Sequence, residues 1–269
     1  MKGKIFVAIL FIAISGCSII NQNNALSAKD EILVFVHGAH LTSDVWSSTA
    51  KILKSVGFDS ISVNLPGRNP SDNPNEITLN LSSQALCDAI KNIGSPIVLI
   101  AHSQGGAISN NAFSLCPKSN IKSIIYIAAV APIDGDTPYS LLSKADESNY
   151  LKGINYDDNS GWMVINNKGL FVSTFTNSES TAIKDTIMRQ AVNEPTIIGE
   201  GVVNYNADYF STLNKFYIHT KFDNIISIES QEKIASKIDL DRSITIDTGH
   251  LPMFSSPVLL ASEIENILN

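Results

Sequence analysis

The sequence predicts an α/β fold built on a mostly parallel, doubly wound sheet, and three observations carry that prediction. From residue 31 onward, apolar β-branched runs alternate with segments of helical periodicity. The runs are continuously apolar, as strands covered on both faces must be. The alternation lapses over 132–214 and then resumes, the pattern expected of an insertion into such a sheet. With 269 residues, 44% of them hydrophobic and 17% charged, the chain has the composition of an ordinary globular core, which excludes disordered, collagen-like and coiled-coil classes. Its 19 Lys and Arg against 26 Asp and Glu leave a net charge of −7, and no basic run is present to neutralise a phosphate backbone, so nucleic acid is not an expected partner.

In chain order, the strand at Ile32 to Val36 is followed by a helix about Trp46 to Val56. The strand at Ser60 to Leu65 is followed by a helix about Leu79 to Ile93, and the strand at Ile97 to Ala101 by a helix about Gly105 to Leu115. Ile121 to Ala129 is the next strand. The stretch that follows is richer in Asn, Asp, Ser and Gly; its large apolar residues Trp162, Met163, Phe171 and Phe175 are scattered, and only Thr181 to Val192 has clear helical periodicity. This reads as a mainly helical cap, about 132–214, inserted after the strand at 121–129. Strand and helix order resumes with Lys215 to His219, a helix about Ser227 to Ile238, the strand Arg242 to Ile246, and a closing helix Pro257 to Leu268 with Pro in its first turn. The domain expected is therefore 31–269, with a core of 31–131 and 215–269.

The N-terminus carries its own signal. Lys2 and Lys4 precede the uncharged run Ile5 to Ile14, which is too short to cross a bilayer that needs about 20 apolar residues. Ile14-Ser15-Gly16-Cys17 resembles the bacterial lipobox, with 1–16 as a removed signal peptide, Cys17 as the lipidated first residue of the mature chain, and 17–30 as a polar tether. Ser18, in place of Asp, resembles outer-membrane sorting, so the expected location is the bacterial cell envelope, at the periplasmic side of the outer membrane. An ordinary secretory signal with an incidental Cys is the alternative. Export leaves Cys87 and Cys116 as an even pair in an oxidising compartment, either disulfide-bonded or two free buried thiols.

The segment IVLIAHSQGGAISNNAF leads from a buried strand straight into a helix through Ser103. Small residues flank the serine at −2 (Ala101) and +2 (Gly105), as a tight strand-to-helix turn requires, and Gly106 eases contact between helix and sheet. A serine hydroxyl is a poor nucleophile at its free pKa and needs a base, which must in turn be oriented. In a chain that runs Ser, then acid, then His, the base lies near the C-terminus, and His250 in Asp247-Thr248-Gly249-His250 meets that requirement. Asp223, after the preceding strand in KFYIHTKFDN, is the expected acid, with Asp247 as its rival. His219 falls within a strand and is read as a satisfied core histidine, and His37 as a loop-bracing residue. An oxyanion formed at Ser103 needs two backbone donors: the N–H of Gln104 and, from the loop after the first strand, that of Ala39 beside Gly38. No cluster of His and Cys has metal-ligand spacing, and no metal or cofactor is expected.

Several segments together resemble the α/β-hydrolases, and in particular the branch of plant methyl esterases, hydroxynitrile lyases and their bacterial esterase relatives. They are FVHGAHLTSDVW, NLPGRNPSDNP, LIAHSQGGAI, YIAAVAPIDGDT, YIHTKFDNIISIESQEKI and DTGHLPMFSSP. The last two discriminate, because hydrolases in general share the serine turn but seldom the His-x-Pro-Met-Phe-Ser-x-Pro pattern. The resemblance covers about 31–269 and is weakest in the cap. It implies the α/β-hydrolase fold and a serine carboxylesterase that cleaves small, fairly apolar esters through Ser103, His250 and Asp223 by way of an acyl-enzyme. A ligand-binding receptor of the same fold with little turnover is the alternative of another class. A lyase is a third reading, although the Lys that follows the catalytic His in the lyases, and the Thr in their oxyanion loop, are Leu251 and Gly38 here.

Overall fold

The computed structural model describes residues 29–116, 120–177 and 180–269. The signal peptide, Cys17 and most of the tether expected at 17–30 lie outside the described residues.

The chain opens with β1 (Ile32–Val36), a short 3-10 turn, α1 (Ser47–Ser55), β2 (Asp59–Val63) and α2 (Leu79–Ile90). Thr78 caps α2 by accepting the Leu81 N–H at 3.1 Å, and the buried positions Leu79, Ser82, Ser83, Leu86, Cys87 and Ile90 recur at the three-to-four spacing of one helical face. Next come β3 (Ile97–His102), buried along its whole length, α3 (Gly105–Leu115) and β4 (Ile121–Ile127). The last of these was expected to reach Ala129 but ends at Ile127, where Ala128 turns into the left-handed region at φ 42°.

The cap follows. It holds α4 (Lys144–Tyr150), β5 (Ile154–Asp157), β6 (Trp162–Ile165), α5 (Lys168–Phe175), α6 (Thr181–Gln190), β7 (Glu194–Pro195) and α7 (Ala207–Ser211). Helices predominate, as expected, but the cap also contains a three-stranded antiparallel sheet in the order β5-β6-β7, which the sequence pattern did not reveal. The core resumes with β8 (Asn214–Thr220), α8 (Ile228–Ala235), β9 (Arg242–Ile246), the short α9 (Pro252–Ser255) and α10 (Pro257–Leu268).

The main sheet runs β2-β1-β3-β4-β8-β9, with every pairing parallel. The strand order reverses once, at β1. Right-handed crossovers then place α1 on one face and α2 and α3 on the other, and accordingly α1 packs against α10 while α2 packs against α3. The crevice outside the carboxyl ends of β1 and β3 is the switch point of this winding, where sheets of this kind hold their ligands. Buried amides on α3 fasten the cap to the core. Asn110 donates to the Pro132 carbonyl at 3.0 Å, where the cap begins, and the Asn111 side chain accepts the Asn204 N–H at 3.1 Å, near its end.

Cys87 on α2 and Cys116 after α3 form a disulfide, 29 residues apart, with Cα atoms separated by 5.5 Å. Closing a loop of that length removes unfolded-state entropy worth about 3–4 kcal/mol. The double substitution C87A/C116A should lower the free energy of unfolding by about that amount, as measured by urea denaturation, whereas a variant as stable as the unreduced parent would rule out the cross-link.

Candidate active site

Ser103 stands at the strand-to-helix turn with φ 53°, a left-handed conformation that non-glycine residues rarely adopt. Its backbone is pinned on both sides: its N–H donates to the Ile127 carbonyl at 3.2 Å, and its carbonyl accepts the Val130 N–H at 3.1 Å. The surroundings leave no room for larger neighbours. A β-carbon on Gly105 would lie 2.6 Å from the Val36 carbonyl oxygen, one on Gly106 2.4 Å from that of Val130, and one on Gly38 2.6 Å from Ser103 Cβ.

From this turn a continuous hydrogen-bonded chain leads inward. The distance from Ser103 Oγ to His250 Nε2 is 3.1 Å, and that from His250 Nδ1 to Asp223 Oδ2 is 2.7 Å. The Asp223 carboxylate also accepts the Thr220 hydroxyl at 3.0 Å and the N–H groups of Ile225 and Ile226 at 2.7 and 2.9 Å. These three donors fix the carboxylate in place and aim it at the imidazole. The loops after β8 and β9 are joined by the Phe222 N–H to the Thr248 carbonyl at 2.9 Å, which brings Asp223 beneath His250. Asp247, the rival acid, points to solvent and pairs with Lys221 at 3.4 Å.

The other histidines of the site are neutral braces. His37 accepts the Leu65 N–H at Nε2 (3.3 Å) and donates from Nδ1 to the Gly38 carbonyl (3.0 Å), the bracing role expected of it. His102, not singled out as a candidate from the sequence, donates from Nε2 to the His250 carbonyl at 2.8 Å and so holds the loop that carries His250. Burial, the largest influence in each case, lowers the pKa of His37 and of His40 to about 3 and drives that of His102 well below 6.5. His219 corrects an expectation. It is buried in β8 and lies against Tyr217 with ring centroids 4.4 Å apart, as a core residue should, but among the described residues its Nδ1 has no hydrogen-bond partner to satisfy it.

Ala39 and Gln104 sit on the two sides of Ser103, at the carboxyl ends of β1 and β3, and among the described residues neither backbone N–H is taken by another hydrogen bond. Both therefore remain free to hold an anion formed beside Ser103. The Gln104 side chain donates to the Tyr139 hydroxyl at 2.8 Å.

A cavity of about 320 Å³ opens beside Ser103, mostly apolar and lined in part by Ala39, Tyr139, Tyr150, Met163 and Ile225. Of the apolar cap residues singled out in the sequence, only Met163 reaches this wall. Phe171 and Phe175 stack on each other at 4.2 Å and pack edge-on against His40, with Phe175 also 5.7 Å from the His250 ring, and Trp162 borders a separate hollow beside Arg68. A buried ion pair between Arg68, after β2, and Glu194, in the cap, escaped the sequence reading altogether. Among the described residues, no three His, Cys, Asp or Glu side chains gather in a way that could hold a metal ion.

Comparison with known proteins gives a consistent likeness. A family model described as "Alpha/beta hydrolase family" matches residues 33–263. Among curated proteins, the chain is similar to "Putative methylesterase 12, chloroplastic" of Arabidopsis thaliana, with 28% identity over 86% of this chain and 70% of that protein. Among solved structures, an extracellular alpha/beta-hydrolase from a Paenibacillus species superposes with a TM-score of 0.76 at 22% identity, covering 87% of this chain and 98% of that one. Polyneuridine aldehyde esterase superposes with a TM-score of 0.76 at 18% identity, covering 90% and 100%. A pyrethroid hydrolase from Sphingobium faniae gives a TM-score of 0.74 at 18% identity, covering 90% and 97%.

The neutral histidines have a consequence for stability. In the folded protein His37, His40 and His102 stay unprotonated well below the ordinary value of 6.5, whereas in the unfolded chain they take up protons below it. Stability is thus intact above about pH 7 and is lost as pH falls from 6.5 toward 3. Near pH 5.5, unfolding should take up about two to three protons, a fall of about 3–4 kcal/mol per pH unit in denaturant titrations. A slope below one proton would show that these rings are charged or exposed in the folded state.

Proposed function

The chain belongs to the alpha/beta hydrolase family, and from that premise we propose that it is a serine carboxylesterase cleaving small, fairly apolar esters. The observation that carries this reading is the unbroken hydrogen-bonded chain from Ser103 Oγ through His250 to Asp223 at the wall of an apolar cavity. Its volume, about 320 Å³, lies at the small end for ligand sites and favours compact substrates. The esterase names borne by relatives and structural neighbours point the same way.

In this mechanism His250 Nε2 takes the Ser103 hydroxyl proton as Oγ attacks the ester carbonyl carbon. The carbonyl oxygen becomes an oxyanion held by the Ala39 and Gln104 N–H groups. Collapse breaks the bond to the alkoxy group, which leaves as the alcohol with the proton from His250, and the acyl group stays on Ser103. Water, deprotonated by His250, then attacks the acyl-enzyme, and the acid departs as Ser103 regains its proton. Asp223 keeps His250 in the tautomer that presents a lone pair at Nε2 and stabilises the imidazolium that forms in each half-reaction.

We further propose that Cys17 is acylated and tethers the domain to the bacterial envelope through residues 17–30, on the lipobox pattern alone. Cys17→Ser should then move the protein from the membrane pellet to the soluble fraction; a wild-type protein already soluble would refute the anchor.

The catalytic reading is tested with p-nitrophenyl esters from acetate to long acyl chains, using the domain from about Asn21. Ser103→Ala should abolish hydrolysis, and the parent rate should peak at short chains. Asp223→Asn should lower kcat by on the order of 10⁴, while Asp247→Asn should leave it near the parent value. Ligand binding with no rate above that of Ser103→Ala would overturn the esterase in favour of a receptor.

A further inference from the structure

We propose that Glu194, a cap residue far from Ser103 in sequence, is a positioning residue that holds the Ala39 side of the oxyanion hole in its working geometry. The inference rests on the esterase reading of the same site. His40, the residue after Ala39, is gripped at every polar atom by the cap. Its N–H donates to Glu194 Oε2 at 2.9 Å, and its carbonyl accepts the Val192 N–H at 3.0 Å. Its Nδ1–H donates to the Val192 carbonyl at 2.9 Å, which leaves Nε2 to accept the Tyr150 hydroxyl, also at 2.9 Å.

This grip maintains an unfavourable conformation. His40 has φ 61°, which a residue with a side chain holds only where its surroundings over-determine it. On the other side of Ala39 lies Gly38, whose backbone is intrinsically loose and which must lack a side chain because Ser103 Cβ is so close. A loop with a glycine on one side of the donor needs its stiffness from the other. Because the peptide unit is planar, fixing the His40 N–H fixes the Ala39–His40 plane and removes the slack on that side.

Glu194 is fully buried and is itself held by Arg68, which bonds both carboxylate oxygens, Nη2 to Oε1 at 3.3 Å and Nη1 to Oε2. A buried ion pair contributes little net stability compared with a well-packed apolar pair. A bare structural strut would therefore have no need of Glu194, whereas a buried N–H beside the oxyanion donor does need an acceptor.

The test compares two double variants that both remove the buried charges, R68M/E194Q and R68M/E194M, alongside the parent and Ser103→Ala. The Gln variant keeps an acceptor for the His40 N–H, and the Met variant of similar volume does not. With p-nitrophenyl acetate as the probe, R68M/E194M should lose ten- to a hundredfold in kcat relative to R68M/E194Q, at matching KM and similar melting temperature. Equal kcat in the two folded variants would overturn the proposal. If R68M/E194M fails to fold, Glu194→Asp, which keeps the charge but withdraws it from His40, decides: a tenfold fall in kcat at unchanged KM supports the positioning role, and an unchanged kcat refutes it. Parent hydrolysis that survives Ser103→Ala would instead defeat the esterase reading, an outcome separate from both.

Discussion

The site depends on a steric constraint at the carboxyl ends of β1 and β3. The N-terminus of α3 lies so close to β1 and to the chain after β4 that only glycine fits at 105 and 106, where an added carbon would meet backbone oxygens at 2.6 and 2.4 Å. Those oxygens belong to main chain inside the packed core and have little freedom to retreat. With the helix start fixed there, the connection from β3 must turn within a single residue, and Ser103 takes up the turn in a left-handed conformation. Its side chain is thereby turned out of the sheet toward His250, with the Gln104 N–H beside it. The same closeness requires a glycine at 38, and so leaves the loop at Ala39 without stiffness of its own.

Electrostatics follow from this packing. Four of the five histidines crowd around the serine, yet among the described residues only the His250 ring is hydrogen-bonded to a carboxylate. Burial is the largest influence that keeps His37, His40 and His102 neutral, because a charged ring there would lose its hydration. Arg68 reinforces this at His37 and His40. The outcome is a single imidazole hydrogen-bonded to a carboxylate, surrounded by rings that serve as rigid hydrogen-bond braces.

The core and the constellation were legible in the sequence because both rest on local signals. Apolar runs marked the inner strands and β-branched ones the edge strands β2 and β9, and Arg242–Ile246, Gly105–Leu115 and Pro257–Leu268 have the expected ends. Ser103, Asp223 and His250 each follow the carboxyl end of a core strand, where position along the chain carries chemical meaning. The cap sheet was not legible. Its strands are four, four and two residues long, and Ile154–Asp157 buries only its first residue, so no period-two pattern could form. Nor could the Arg68–Glu194 pair be read, since its partners lie 126 residues apart and neither belongs to a patterned element. His219 shows the opposite failure. Its strand position was right, but satisfaction of a ring nitrogen depends on neighbours that no local pattern encodes.

A buried ion pair spanning core and cap is expensive to maintain, and the reason for it can be traced backward from the donor loop. Gly38 must be bare, so Ala39 needs support from His40. His40 in its left-handed conformation directs its N–H into the cap, away from any strand partner, and an unpaired buried N–H there would cost about 1–3 kcal/mol. A carboxylate meets that need with a short, charge-assisted bond, but its own burial then calls for a cation. Arg68 supplies the cation from the loop after β2, and Gly67, at φ 78°, lets that loop come so close that an added carbon would lie 2.5 Å from Pro195, next to Glu194. Each step follows from the one before it, which ties the least patterned part of the chain to the most constrained. The cap, although an insertion into the core fold, is in this sense part of the framework on which the Ala39 N–H is held.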